Sequence, residues 1–235
     1  DYARIQWAVD NASAGDTIIV RPGTYNENVD VDKSLEIRSY SQNPADTIVR
    51  ASNSDDHVFY VTANNVYISG FTVTGATGYE KAGIYLYNSN YCRIENVDAS
   101  NNYYGIHLWT SISNTIANNI ASSNNDDGIY LCRSGSNTIA NNIASSNNDD
   151  GIYLRDYSSN NIIANNTVSN NKYGIHLRSY SSNNIIANNI ASSNNWGGIC
   201  LYYSSSSNII ANNTASDNGW GIGIYSYSSN NIIAN

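Results

Sequence analysis

The chain has 235 residues, 41% of them hydrophobic, and 11 lysines and arginines against 19 aspartates and glutamates, for a formal net charge of −8. That length suffices for one continuous core, and an acidic balance with no basic cluster argues against a nucleic-acid partner. No run of about 18 apolar residues is present, which argues against a membrane span, and no charged-then-apolar leader opens the sequence.

Residues 1–15 read differently from the rest. Ile5, Ala8, Val9 and Ala12 recur at helical spacing and Gly15 is a stop signal, which predicts a short helix. The first coil of a solenoid leaves its core open, so the helix is expected to act as a cap. Residues 16–82 hold strand-like runs without a clear repeat, and are read as irregular first coils.

From residue 83 to 235 the pattern becomes regular. Gly83, Gly105, Gly128, Gly151, Gly174, Gly198 and Gly221 open successive copies at intervals of 22 to 24 residues. A period of that length, rich in Asn, Ser and β-branched residues and alternating inside each copy, predicts an all-β solenoid of short parallel strands, one coil per copy. The position after each glycine is isoleucine, from Ile84 to Ile222, and two further on stand Leu86, Leu108, Leu131, Leu154, Leu177, Leu201 and Ile224. Both columns are expected inside, since each would otherwise lay an apolar ridge in water at about 25 cal/mol per Å². A second strand adds Ile94, Ile116, Ile139, Ile163, Ile186, Ile210 and Ile233; a third adds Ala121, Ala144, Val168, Ala191 and Ala215.

Two residues past each second-strand isoleucine stands an asparagine: Asn96, Asn118, Asn141, Asn165, Asn188, Asn212 and Asn235. Counting alternation straight through puts this column inside, as a ladder of stacked amides. Asn165 and Asn212 also open N-x-T sequons, and Asn11 an N-x-S one; inward amides could carry no glycan, so the first two are discounted. Cys92, Cys132 and Cys200 fall at different coil positions, so stacking does not pair them. The copy is still running at Asn235, which leads us to expect either more chain beyond it or coils that stack end to end.

The run IQWAVDNASAGDTIIVRPGTYNENVDVDKSLEIRS, Ile5 to Ser39, resembles the opening of the pectin-lyase-like right-handed parallel β-helix superfamily. The style NNTVSNNKYGIHLRSYSSNNIIANN is similar to the repeats of NosD-like proteins and related bacterial and archaeal surface proteins. The resemblance implies a right-handed, single-stranded parallel β-helix. It implies much less about activity, because the superfamily spans lyases, hydrolases, esterases and members with no known chemistry. Polygalacturonase-type members carry NTD, DD, GHG and RIK motifs; here only the two DDG copies at Asp126-Asp127-Gly128 and Asp149-Asp150-Gly151 occur. NosD-like proteins are associated with copper delivery, and in this chain Cys200 beside His176 would offer two ligands.

Two surface features are candidate sites. Asp126 and Asp127 should stack under Asp149 and Asp150, and four convergent carboxylates suit Ca²⁺, a hard cation that takes oxygen ligands. The outward column Tyr85, His107, Tyr130, Tyr153, His176 and the row beside it, Tyr87, Trp109, Arg155, Arg178, predict an exposed aromatic stripe suited to stacking on sugar rings. Cross-coil ladders of tyrosine and histidine would give the same columns. Asp156 beside Arg155 and Arg178 reads as surface ion pairing. The composition, low in charge and rich in Asn, Ser and Tyr, suits an extracellular or cell-surface protein, periplasmic in a bacterium. The leading expectation is a non-catalytic solenoid binding polysaccharide along the aromatic face. A structural sheath assembling end to end, and a polysaccharide lyase or hydrolase, are the alternatives.

Overall fold

The computed structural model describes residues 2–234. A seven-residue helix, Ile5–Asn11, precedes a parallel β-solenoid, and every strand pairs in parallel with its counterparts one coil away. Among the described residues each coil contributes to three faces. Sheet one has nine strands, running from Val29–Val31 through Asp150–Arg155 to Trp220–Ile224. Sheet two has ten, from Thr17–Val20 to Ile232–Ala234. The third face is a three-stranded and a four-stranded sheet, joined by single bridges through Thr72, Asp98, Ile120 and Ile143. Residues 16–82 follow the same three-faced path, so their irregularity lies in sequence and not in architecture.

The cap helix is too short to stand alone; the first coil holds both its ends. The buried Glu27 carboxylate accepts from the Ile5 and Gln6 amides at 3.0 and 3.1 Å, and Lys33 Nζ donates to the carbonyls of Val9, Asp10 and Ala12. A negative charge thus meets the positive end of the helix dipole, and a positive charge the negative end. Ile5 and Val9 close the core beneath.

The predicted core columns point inward. Ile84 through Ile199, Leu86 through Leu201 and Ile94 through Ile210 are all buried, as are Ala121, Ala144, Val168 and Ala191. Burial falls away in the last described coil: Ile222, Ile224 and Ala215 are half-buried and Ile233 is 52% exposed.

The asparagine column is a correction. Asn96, Asn118, Asn141, Asn165, Asn188 and Asn212 are exposed and lie at φ between 50° and 58°; Asn235 falls outside the described residues. They occupy the left-handed corner between sheet two and the third face, a conformation asparagine adopts at less cost than most residues. That corner breaks strand alternation by one step, so the next residue turns inside. The inward ladder is therefore Asn119, Asn142, Asn166 and Asn189, all buried, and the half-buried Asn213. Asn142 Nδ2 donates to Asn166 Oδ1 at 3.0 Å and to the Ile116 carbonyl at 2.9 Å, and the Asn142 amide also reaches Asn166 Oδ1 at 2.9 Å. Two more ladders mark the other corners, Asn114 to Asn231 and Asn102 to Asn218. Buried serines from Ser89 to Ser158 form a fourth.

Candidate functional site

The outward face of sheet one carries the chemistry. Parallel register sets Tyr60, Tyr85, His107, Tyr130, Tyr153, His176 and Cys200 in one row along the axis. Ring centroids lie 4.6 Å apart from Tyr85 to His107 and from His107 to Tyr130, then 5.3 Å to Tyr153 and 4.9 Å to His176, with planes within 29° of parallel. His57 enters the same stack against Tyr85 at 4.4 Å. This corrects the expected exposed stripe. The coil spacing of about 4.8 Å is close to a ring-stacking distance, so the rings spend their faces on one another and turn only edges outward. His107, Tyr130 and His176 are consequently only 5%, 7% and 9% exposed.

Burial pushes His107 down to about 3, and burial followed by the Lys81 charge takes His57 to about 4, so both rings are uncharged at neutral pH. Neither ring nitrogen of His107 has a hydrogen-bond partner among the described residues, while His57 Nδ1 accepts from the Ala82 amide at 3.0 Å. Burial raises Tyr130 and Tyr153 above the ordinary phenol range, which keeps them protonated.

Two rows flank these edges. On one side stand Tyr87 and Arg155, both exposed, with Trp109, Arg178 and Tyr202 half-buried; Arg133 lies over the Trp109 ring at 5.7 Å and Arg178 over Tyr203 at 5.1 Å. Arg155 Nε is 3.5 Å from Asp156, as the ion-pair reading expects, whereas Arg178 turns to the tyrosines instead. The other side is built by the residues before each glycine, including Tyr104, Asp127, Asp150 and Tyr173. Tyr104 and Tyr173 were not singled out in the sequence. The signal was there, since each occupies the coil position of the two DDG aspartates.

The four carboxylates do not act as one cluster. Asp126, Asp127 and Asp149 each bring an oxygen within 4.8 Å of the others. The buried Asp150 turns away to His176, its Oδ2 lying 2.8 Å from Nδ1, while Oδ1 has no partner. Lys172 Nζ stands 2.8 Å from Asp149 Oδ1 and supplies the local positive charge. Asp127 is buried, and its Oδ1 accepts from the Asp150 amide at 2.9 Å. Its pKa lies well above the ordinary 3.8, first through desolvation and then through the Asp150 and Asp126 charges.

A carboxyl raised in the folded state favours folding fully below its unfolded pKa, and that contribution is lost as pH rises through the folded value. Asp127→Asn keeps the acceptor oxygen and removes the charge. The variant is therefore expected to match the parent near pH 4 and to have the higher urea midpoint at pH 7, read from unfolding curves at both.

Solved structures of low sequence identity share this architecture. The A-module of a mannuronan C-5 epimerase from Azotobacter vinelandii superimposes with a TM-score of 0.82 at 20% identity, over 98% of this chain and 71% of that one. A pectate lyase gives 0.72 at 16% identity, over 96% and 72%. An alginate lyase from Paenibacillus gives 0.68 at 16%, over 98% and 95%. The fold they share with this chain is the right-handed parallel β-helix. In sequence, a cell surface glycoprotein of Methanothermus fervidus is 39% identical over 97 residues, which is 40% of this chain and 15% of the relative's length.

The family model described as "Periplasmic copper-binding protein (NosD)" matches residues 9–192 and again 157–235. The side chains present do not assemble a copper donor set. Methionine is absent and the three cysteines are buried free thiols in different columns. Cys200 is the register partner of His176, but burial pushes its thiol up to about 12, and no third donor joins them. Among the described residues, the converging group of three or more His, Cys, Asp or Glu side chains is the acidic one. Parallel register nonetheless runs the length of that match, and the chain belongs to the NosD family of β-helix proteins.

Proposed function

We propose that this chain is an extracellular or cell-surface β-helix that binds polysaccharide along the outward face of sheet one. One observation carries the reading: a straight floor of ring edges, several coils long, runs between a row of Arg, Trp and Tyr and a row of Asp, Lys and Tyr. An extended sugar chain presents hydroxyls and apolar ring faces at a regular repeat. Such a floor offers it phenol edges to pack on, with Trp109, Tyr87 and the arginine heads beside them. The relatives named above support the reading, since several act on polysaccharides and one is a cell-surface protein.

The flanking row is the part to test, because Arg155 and Arg178 lie outside the core. Arg155→Ala with Arg178→Ala is expected to weaken glycan binding about tenfold with no change in melting temperature. Absence of binding across a panel of neutral and uronic polysaccharides would overturn the proposal. Reading the same panel for shortened chains separates binding from cleavage. The cleavage reading, a lyase or hydrolase, draws on the Asp150–His176 pair beside Asp127, whose carboxyl burial pushes upward. Calcium belongs to the proposal as an ion that the carboxylates of Asp126, Asp127 and Asp149 would hold. Calorimetry at pH 7 is then expected to show uptake of Ca²⁺ with proton release, lost in Asp127→Asn.

A further inference from the structure

The corner between sheet two and the third face points away from sheet one, and the exposed asparagine column runs along it. In three coils the residue two past that asparagine is an exposed isoleucine: Ile120 after Asn118, Ile143 after Asn141, Ile190 after Asn188. In two coils it is threonine, Thr167 after Asn165 and Thr214 after Asn212. In both, the corner sorts the three residues of the sequon. The first asparagine sits outside at φ 58° or 53°, the middle one, Asn166 or Asn213, turns into the ladder, and the threonine opens the next strand with its side chain outward.

Acceptor amide and hydroxyl therefore lie on the same, solvent side of the chain. The Asn165 side chain makes no hydrogen bond among the described residues, nor does the hydroxyl of Thr167 or Thr214. Among the described residues only the backbone of each acceptor is committed: the Asn165 amide donates to the Ala187 carbonyl and the Asn212 amide to that of Ala234. Asn11 differs, because its side chain is spent on the Trp7 carbonyl in the cap helix.

We propose that Asn165 and Asn212 are N-glycosylation sites, two glycans on one corner, two coils or about 10 Å apart at the coil spacing. The donor class is a lipid-linked oligosaccharide diphosphate. The asparagine Nδ2 bonds to C1 of the first sugar, the C1–O bond to the diphosphate breaks, and the lipid diphosphate leaves with that electron pair. The amide proton passes to a base of the transferase. The folded chain accommodates this, because the ladder uses only the neighbouring asparagines. The assignment does not rest on polysaccharide binding, which concerns the opposite side of the coil.

The test is secretion of the full chain from yeast, a host that attaches such oligosaccharides, followed by intact mass and peptide mapping. Glycan mass at Asn165 and Asn212 is expected. Thr167→Val and Thr214→Val should each remove one glycan while leaving the asparagine in place. Ile190→Thr, which gives Asn188 the same sequon on the same corner, should add one. Unmodified Asn165 and Asn212 in folded secreted protein, while a control sequon in the same cells is occupied, overturns the proposal; so does an Ile190→Thr chain of unchanged glycan number.

Discussion

Gly151→Ala is expected to destabilise the fold by about 3 kcal/mol, although glycine there needs no unusual backbone conformation. A methyl group at residue 151 would sit 2.7 Å from the Gly174 carbonyl oxygen, 2.8 Å from Asn171 Nδ2 and 3.1 Å from the Ala144 carbonyl. Two are backbone carbonyls and the third is the Asn171 amide, which is held by its bonds to the Ala144 carbonyl and Asn194, so none is the free end of a flexible side chain. The same collision repeats at Gly105, Gly128, Gly174 and Gly198, which is why a glycine opens each copy. Gly221 supplies the control: its nearest neighbours would be Ala215 atoms at 3.7 and 3.8 Å. Gly221→Ala should stay within about 0.5 kcal/mol of the parent, and urea midpoints of the two variants make the comparison.

Asn142→Ala should cost about 3 to 5 kcal/mol. Its amide accepts from the Asn119 backbone N–H at 2.9 Å and from Asn119 Nδ2 at 3.1 Å, and donates to the Ile116 carbonyl at 2.9 Å. Alanine takes these partners from the buried Asn119 backbone N–H and the Ile116 carbonyl, and leaves Asn119 Nδ2 only the Ile94 carbonyl. Asn141→Gly, one residue earlier, should change the midpoint by under about 0.5 kcal/mol, because an exposed side chain is lost and glycine takes φ 57° freely. Equal losses from the two variants would put the ladder in the wrong column.

Those two neighbours also show where the sequence stops being legible. The isoleucine and leucine columns could be read because alternation holds within a strand and because water penalises the opposite choice. In Asn141-Asn142 both residues are the same type, so composition cannot say which turns inside; only the left-handed corner does, and alternation counted through it gives the wrong parity. The aromatic row has a related difficulty. Register placed Tyr130, Tyr153 and His176 in line, but whether rings face solvent or each other depends on side-chain rotation. Asp127 and Asp150 were found as a pair, yet His176 was assigned to another column, and only sheet one brings its ring to Asp150. Lys33 and Glu27 as clamps on the cap helix left no local pattern, since both act across more than twenty residues of chain.

The ladders have a last consequence, for how such a molecule changes length. Each regular rung hands the same asparagine amides and backbone carbonyls to the next, so one such whole rung fits on another, while a fraction of one leaves donors facing nothing. Length is therefore quantised in steps of about 4.8 Å, and duplication or loss of a complete repeat moves the two ends of the rod without altering a single contact type between them. A gene that slips by one repeat makes a longer or shorter spacer, not a broken one.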